Sequence, residues 1–187
     1  VVLRKKAVLQ DGENLLVNRA LSPYDTMLLT GVAKEGGFYN AHAHLDRADT
    51  VLDEYLGQIN TTPLDASFLP LSVKQNLTGD LHRGIAYTEE DLRERMTRVM
   101  ERLIAYGTKG LATCIDVTPD LPENGMLAWK VAKELQREFA DRLVMKLGPN
   151  PIFGFKESPR WEVFEKTAKQ ADFLSCLPEK DVDSNLG

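Results

Sequence analysis

From Thr88 onward the chain alternates between stretches of helical periodicity and short apolar runs, and this alternation limits the possible folds more than any other feature. Thr88, followed by Glu89, Glu90 and Asp91, reads as a helix N-cap with acids in the first turn, where they complement the helix dipole. Leu92, Met96, Val99, Met100 and Leu103 then recur at helical spacing until Gly107 closes the element. The apolar run Leu111-Ala112-Thr113-Cys114-Ile115-Asp116-Val117 reads as a strand ended by Thr118-Pro119. A second helix is predicted from about Glu123, with Leu127, Val131, Leu135 and Phe139 on one stripe. Leu143 to Leu147 is the next strand, ended by Gly148-Pro149, and Ser158-Pro159 opens a helix running through Val163, Phe164 and Ala168. Phe173 to Leu177 is read as the last strand, stopped by Pro178.

An earlier strand, in the run Gly37 to Arg47, completes about four strands joined by helix-bearing connections. Strands alternating with helices of this length predict an α/β fold with a parallel sheet and right-handed crossovers. Strands buried on both faces read as near-continuous apolar runs, as these do. The pattern fits either an open doubly wound sheet or part of an eight-stranded barrel. No glycine-rich phosphate loop follows any strand, which counts against a nucleotide-binding sheet. Residues 1–36 read as a short β-rich segment, with strand-like pieces at Val1 to Leu3, Ala7 to Leu9 and Met27 to Leu29, and residues 37–187 as the main domain. The long connection from Arg47 to Tyr87 carries a short helix around Ala66 to Leu77, and connections of this length usually serve as lids or binding loops.

Composition narrows the function classes. The chain has 187 residues, with a net charge of -5 and no basic stripe, which argues against nucleic-acid binding. No run approaches the roughly 18 apolar residues needed to span a bilayer. The charged N-terminus, Val1 to Lys6, has no apolar segment behind it and is not a secretory signal. Cys114 and Cys176 lack metal-type or redox-type spacing and read as reduced core residues of a cytoplasmic protein.

Two of the chain's three histidines stand in Asn40-Ala41-His42-Ala43-His44-Leu45-Asp46-Arg47. Alternate strand residues share a face, so both imidazoles point the same way at the strand's end. Two neutral imidazoles converging on one point suit a divalent metal such as Zn or Fe; a surface strand with two solvated rings is the plainer alternative.

In parallel α/β folds ligands bind at the carboxyl ends of strands. Those ends bring His42, His44 and Asp46 together with Asp116, Asn150, Glu179, Lys180 and Asp181. Asp46, Asp116, Asn150 and Glu179 are the candidate substrate contacts. Each also has a local explanation: Asp46 as a turn cap or partner of Arg47, Asp116 as a turn acid, Asn150 as a turn former between prolines, Glu179 in a solvated charged loop. His82 is expected to be exposed, and the Leu92-Met96-Met100 stripe to be packing.

These features together resemble the amidohydrolase superfamily, specifically its cytosine-deaminase-like branch. Three stretches carry the resemblance: Asn40 to Arg47 resembles the branch's histidine-any-histidine-leucine-aspartate metal motif, Gly107 to Val117 its second strand, and Ala171 to Pro178 its fourth. The resemblance implies a (β/α)8 TIM barrel with one divalent metal ion, Zn or Fe. It also implies hydrolytic deamination, or related C–N cleavage, of a cyclic nitrogen-rich small molecule such as a pyrimidine or triazine. His42 and His44 match the first two metal ligands, and Asn150 falls near a substrate-binding amide. Cys114 and Glu179 stand where some members carry histidine.

A complete barrel takes about 200 to over 400 residues, so the expectation is the N-terminal half of one, with the catalytic acid/base beyond Gly187. The expected partner is the missing half or a second copy of the chain. Two other readings stay open: a cyclic amide or imide hydrolase on the same fold, and a non-catalytic truncated barrel acting as an assembly module.

Overall fold

The computed structural model describes residues 22–181, and strand β2 (Thr108–Asp116) runs through its centre. Strand β1 (Phe38–Ala43) lies parallel on one side and β3 (Val144–Asn150) parallel on the other, in the order β1-β2-β3. The β2–β3 register is continuous from Gly110 opposite Val144 to Asp116 opposite Asn150, whereas the β1–β2 register is irregular. Of the nine residues of β2, seven are buried. The outer strand β1 has four exposed residues of six, so the core sits around β2 and β3 rather than β1.

Parallel neighbours require a crossover between them, and amphipathic helices supply it. Helix α1 (Pro23–Lys34) precedes β1, and α2 (Asp53–Leu56), α3 (Pro63–Phe68) and α4 (Leu71–Leu81) lie in the connection after it. Helix α5 (Glu89–Ala105) then leads into β2, with Thr88 capping it as predicted by accepting from the Asp91 N–H. Helix α6 (Leu127–Glu138) crosses from β2 to β3 and packs beside α5; helix α7 (Ser158–Ala168) follows β3. Leu92, Met96 and Met100 of α5, Val131 and Leu135 of α6, and Ile115 and Leu147 of the sheet are wholly buried in one cluster. Each large side chain buried in this stripe-to-sheet contact contributes roughly 1.5–3 kcal/mol. Among the described residues, no helix is long and apolar enough to cross a membrane.

Four expectations are corrected. The strand-like piece at Met27 to Leu29 is part of α1: Ser22 and Asp25 form a reciprocal capping box, and Pro23 opens the helix. The pieces at Val1 to Leu3 and Ala7 to Leu9 lie outside the described residues. Helix α6 begins at Leu127, not near Glu123, because Glu123 and Asn124 adopt left-handed backbone (φ 53° and 52°) in a turn before it. The single helix foreseen around Ala66 to Leu77 is two, α3 and α4, broken at Leu69-Pro70.

The fourth correction concerns Phe173 to Leu177, which run beside β3 without forming a strand. The outer edge of β3 explains this. The Leu147 N–H is taken by the Asp172 carboxylate at 3.0 Å, and Pro149, the next outward residue, has no N–H to offer. Only carbonyls remain: Leu147 O accepts from Asp172 N at 2.8 Å, and Pro149 O from the Ser175 hydroxyl at 2.9 Å. The Phe173 ring lies against Gly148, where any Cβ would overlap it. Cys176, expected in the core, is consequently exposed, while Cys114 on β2 is buried as expected.

Candidate functional site

The site lies at the carboxyl ends of the three strands. His42 is exposed near the end of β1, and His44 follows the strand, half-buried. Their rings sit side by side, centroids 5.1 Å apart and planes at 79°. The Asn40 side chain accepts from the His42 N–H at 3.1 Å, and Leu45 N–H donates to the Thr113 hydroxyl at 2.9 Å, anchoring the turn after β1 to β2. Both imidazoles line a cavity of about 370 Å3 together with Arg47, Cys114, Asn150 and Ser175.

Beneath this cavity is a buried polar knot. Asp116 ends β2 with no solvent exposure; its Oδ1 accepts from Asn150 Nδ2 at 2.6 Å, which reflects the pairing of the two strand ends in register. Its Oδ2 lies 3.1 Å from Arg47 Nε and 3.0 Å from His82 Nε2. These two are ion-pair contacts, short in distance but too poorly aligned to count as hydrogen bonds. Asp46, equally buried, accepts from the Tyr87 hydroxyl at 2.5 Å and the Asp116 N–H at 3.0 Å. Arg95, only 1% exposed within α5, donates to the Asp46, Ala48 and Ala86 carbonyls at 3.0, 2.6 and 2.6 Å and pairs with Asp91. This one guanidinium clamps the turn after β1 from below.

The electrostatics follow from this geometry. Burial, and then the charge of Arg47, lowers the His44 pKa to about 4, so the ring is neutral at physiological pH. Burial, and then the neighbouring Asp116 charge, raises the Asp46 carboxyl. Burial would also raise Asp116, but the His82 contact and the Arg47 charge outweigh it and hold that carboxyl below its usual range. Burial raises the Cys114 thiol, which keeps it protonated and a poor nucleophile near neutral pH.

The structure therefore brings His42, His44 and Asn150 to one cavity. Asp46 and Asp116, expected as substrate contacts, instead lie underneath and bind protein groups. Glu179 is in the turn Pro178–Lys180, with its side chain outside the described portion, and Asp181 accepts from the Phe155 and Lys156 N–H groups, each at 2.9 Å. His82, expected to be exposed, is 1% exposed, because the connection carrying it folds down onto Asp116. Arg95 is a functional-site neighbour that composition does not single out; its one sequence signal is its place three residues after Leu92, on the buried stripe of α5.

Two places could interest a cation. Neutral His44 beside His42 offers two nitrogen donors, the state and type that a borderline metal requires. A guanidinium only donates, and Arg47 Nη2 contacts His44 Nδ1, so the other ring nitrogen carries the hydrogen while that contact holds. Asp46, His82 and Asp116 also converge, with one ligand-type atom each within 4.8 Å of the others. There the Arg47 guanidinium already supplies positive charge to Asp116, so the trio reads as an internally compensated ion-pair network.

No protein-family model matches the chain. It is 25% identical over 158 residues to an uncharacterized protein of Haemophilus influenzae, covering 84% of this chain and 53% of that protein. Two solved structures of 5-methylcytosine deaminase from Klebsiella pneumoniae, liganded with phosphonocytosine and with 5-fluorocytosine, superpose with a TM-score of 0.63 at 20% identity. Each match covers 80% of this chain and 33% of the deaminase. The chain thus spans about half the length of its curated relative and a third of the deaminase. At this identity the likeness is one of fold: a parallel sheet with flanking helices, consistent with part of a TIM-barrel-like fold.

Proposed function

We propose that this chain carries the first-strand metal-binding portion of a metal-dependent amidohydrolase, one that hydrolyses a C–N bond of a cyclic nitrogen-rich substrate by deamination. The observation that carries the reading is the pairing of the His42 and His44 rings, 5.1 Å apart, on the wall of a cavity at the carboxyl ends of parallel strands. Its support includes the fold shared with a deaminase liganded with phosphonocytosine and with 5-fluorocytosine.

In this proposal His42 and His44 hold one divalent cation, zinc or iron. When bound, that cation supplies Lewis acidity, which lowers the pKa of water from about 15.7 to about 7. The rest is done by the chain's own groups. Asn150 Nδ2 is committed to Asp116, so the amide presents its Oδ1, near the Ser175 hydroxyl, as an acceptor. An acceptor fixed in this way selects for an amino group or ring N–H on the substrate. The buried Asp116 keeps that amide from flipping, because a reversed amide would set two oxygens against each other.

Metal analysis tests the assignment. Purified protein, His42→Ala/His44→Ala and His82→Ala are each loaded with Zn2+, dialysed and assayed for bound metal. Loss in the double variant with retention in His82→Ala supports the proposal. Equal metal in wild type and double variant, or loss only in His82→Ala, overturns it.

A further inference from the structure

Adjoining the histidine cavity is a second chamber of similar size, about 370 Å3, formed under the connection that follows β1. Most of its wall is apolar, from Val51, Leu56, Ala66, Leu77, Leu81 and the ring of Tyr87, with Arg47, Lys74 and His82 as the charged or titratable side chains that border it. The two chambers share Arg47 and Thr78, so they abut across those side chains. We propose that this chamber binds an aryl or branched-alkyl arm of the same substrate whose reacting ring lies against His42 and His44. The inference rests on the hydrolase reading for the identity of that ring, and on the chamber itself for the arm.

Three observations favour an organic arm over water or solvent-filled packing space. The volume falls within the roughly 300–1,000 Å3 typical of small-molecule sites, and an apolar lining with a few polar groups at one end is their usual composition. The charged groups on its lining are already engaged within the protein and do not demand a charged ligand: Arg47 and His82 contact Asp116, and Lys74 Nζ donates to the Ser67 carbonyl at 2.8 Å. The loop before α2 also leaves an apolar side chain at the chamber's rim: Val51 is 64% exposed there. Water in such a space would find few partners, whereas an apolar group would gain by leaving bulk solvent.

The probe is p-cresol, whose ring fits the apolar walls and whose hydroxyl can face the polar end. It is titrated into the 15N-labelled chain and followed by amide shifts, with no metal and no turnover required. The expected result is a saturable shift at Leu56, Ala66 and Leu77 that is lost in Ala66→Trp, which fills the chamber. Val51→Asp, at the exposed rim where folding is not at stake, weakens binding as well and serves if Ala66→Trp does not fold. Absence of saturable shifts, shifts confined to His42, His44 and Cys114, or unchanged affinity in the folded variants would overturn the proposal. Failure here leaves the metal assay untouched, and failure of the metal assay leaves the chamber's ligand class readable.

Discussion

His82 Nε2 sits 3.0 Å from Asp116 Oδ2, with both side chains sealed from solvent, and this contact ties the long connection after β1 to the carboxyl end of β2. Burying a charged carboxylate is unfavourable unless it is paired and hydrogen-bonded. Asp116 meets that requirement with three side chains from three different parts of the chain: Arg47, His82 and Asn150. Removing any one leaves the carboxylate under-compensated.

His82→Ala is therefore expected to lower stability by about 1–3 kcal/mol. The loss should be largest locally, in the segment that carries α4. Urea denaturation measures the total, and hydrogen exchange at residues 77–84 shows where it falls. An unchanged midpoint with unchanged exchange would mean that the contact contributes nothing.

Arg95→Met keeps the length and apolar stem of the side chain but leaves the Asp46, Ala48 and Ala86 carbonyls without their donor. Breaking a buried charged network by deleting one member costs about 3–5 kcal/mol. Arg95→Lys should rescue little, because one ammonium cannot reproduce a planar fork spread over three carbonyls and Asp91. A Lys variant as stable as wild type in denaturant would refute the clamp.

Asp172 provides a pH signature for the edge of β3. Burial alone would raise its carboxyl, but the Leu147 N–H, the Gln136 amide and the Lys146 ammonium together hold it lower than normal. Since the folded value lies below the unfolded one, the stabilisation is present in full above about pH 4 and fades as pH falls through the lowered folded value. Comparison of wild type with Asp172→Asn by thermal melting should show a gap at pH 7 that narrows toward pH 2. A gap independent of pH would exclude the charge as its source.

The two cysteines should differ in reactivity. Cys176 is exposed, whereas Cys114 is buried and its thiol pKa is raised by that burial. Iodoacetamide at pH 8 should label Cys176 rapidly and Cys114 only after unfolding, as peptide mass analysis would show. Comparable labelling of both in the native protein would contradict the packing of β2.

Helices α5, α6 and α7 and strands β2 and β3 were legible because each advertises itself within its own residues, by a cap, a 3.6-residue stripe or an apolar run. The nearness of the His42 and His44 rings, as distinct from their proposed metal role, was legible for the same reason, since two residues of spacing at the end of β1 bring them together. Helix α1 is less legible: Ser22-Pro23 carries the same N-cap signal as Ser158-Pro159, but the short apolar piece Met27 to Leu29 fits a strand as well as a helix when taken by itself. What only the tertiary structure decided is which polar residues are buried and against whom. His82 has no local mark of burial, and its partner Asp116 is fixed by β2 pairing with β3. The segment after Asp172 has a strand's composition, but it meets an edge where one donor is taken and the next is a proline. Periodicity is a property of neighbours along the chain; compensation of buried charge and completion of a sheet edge depend on groups that only folding brings within reach.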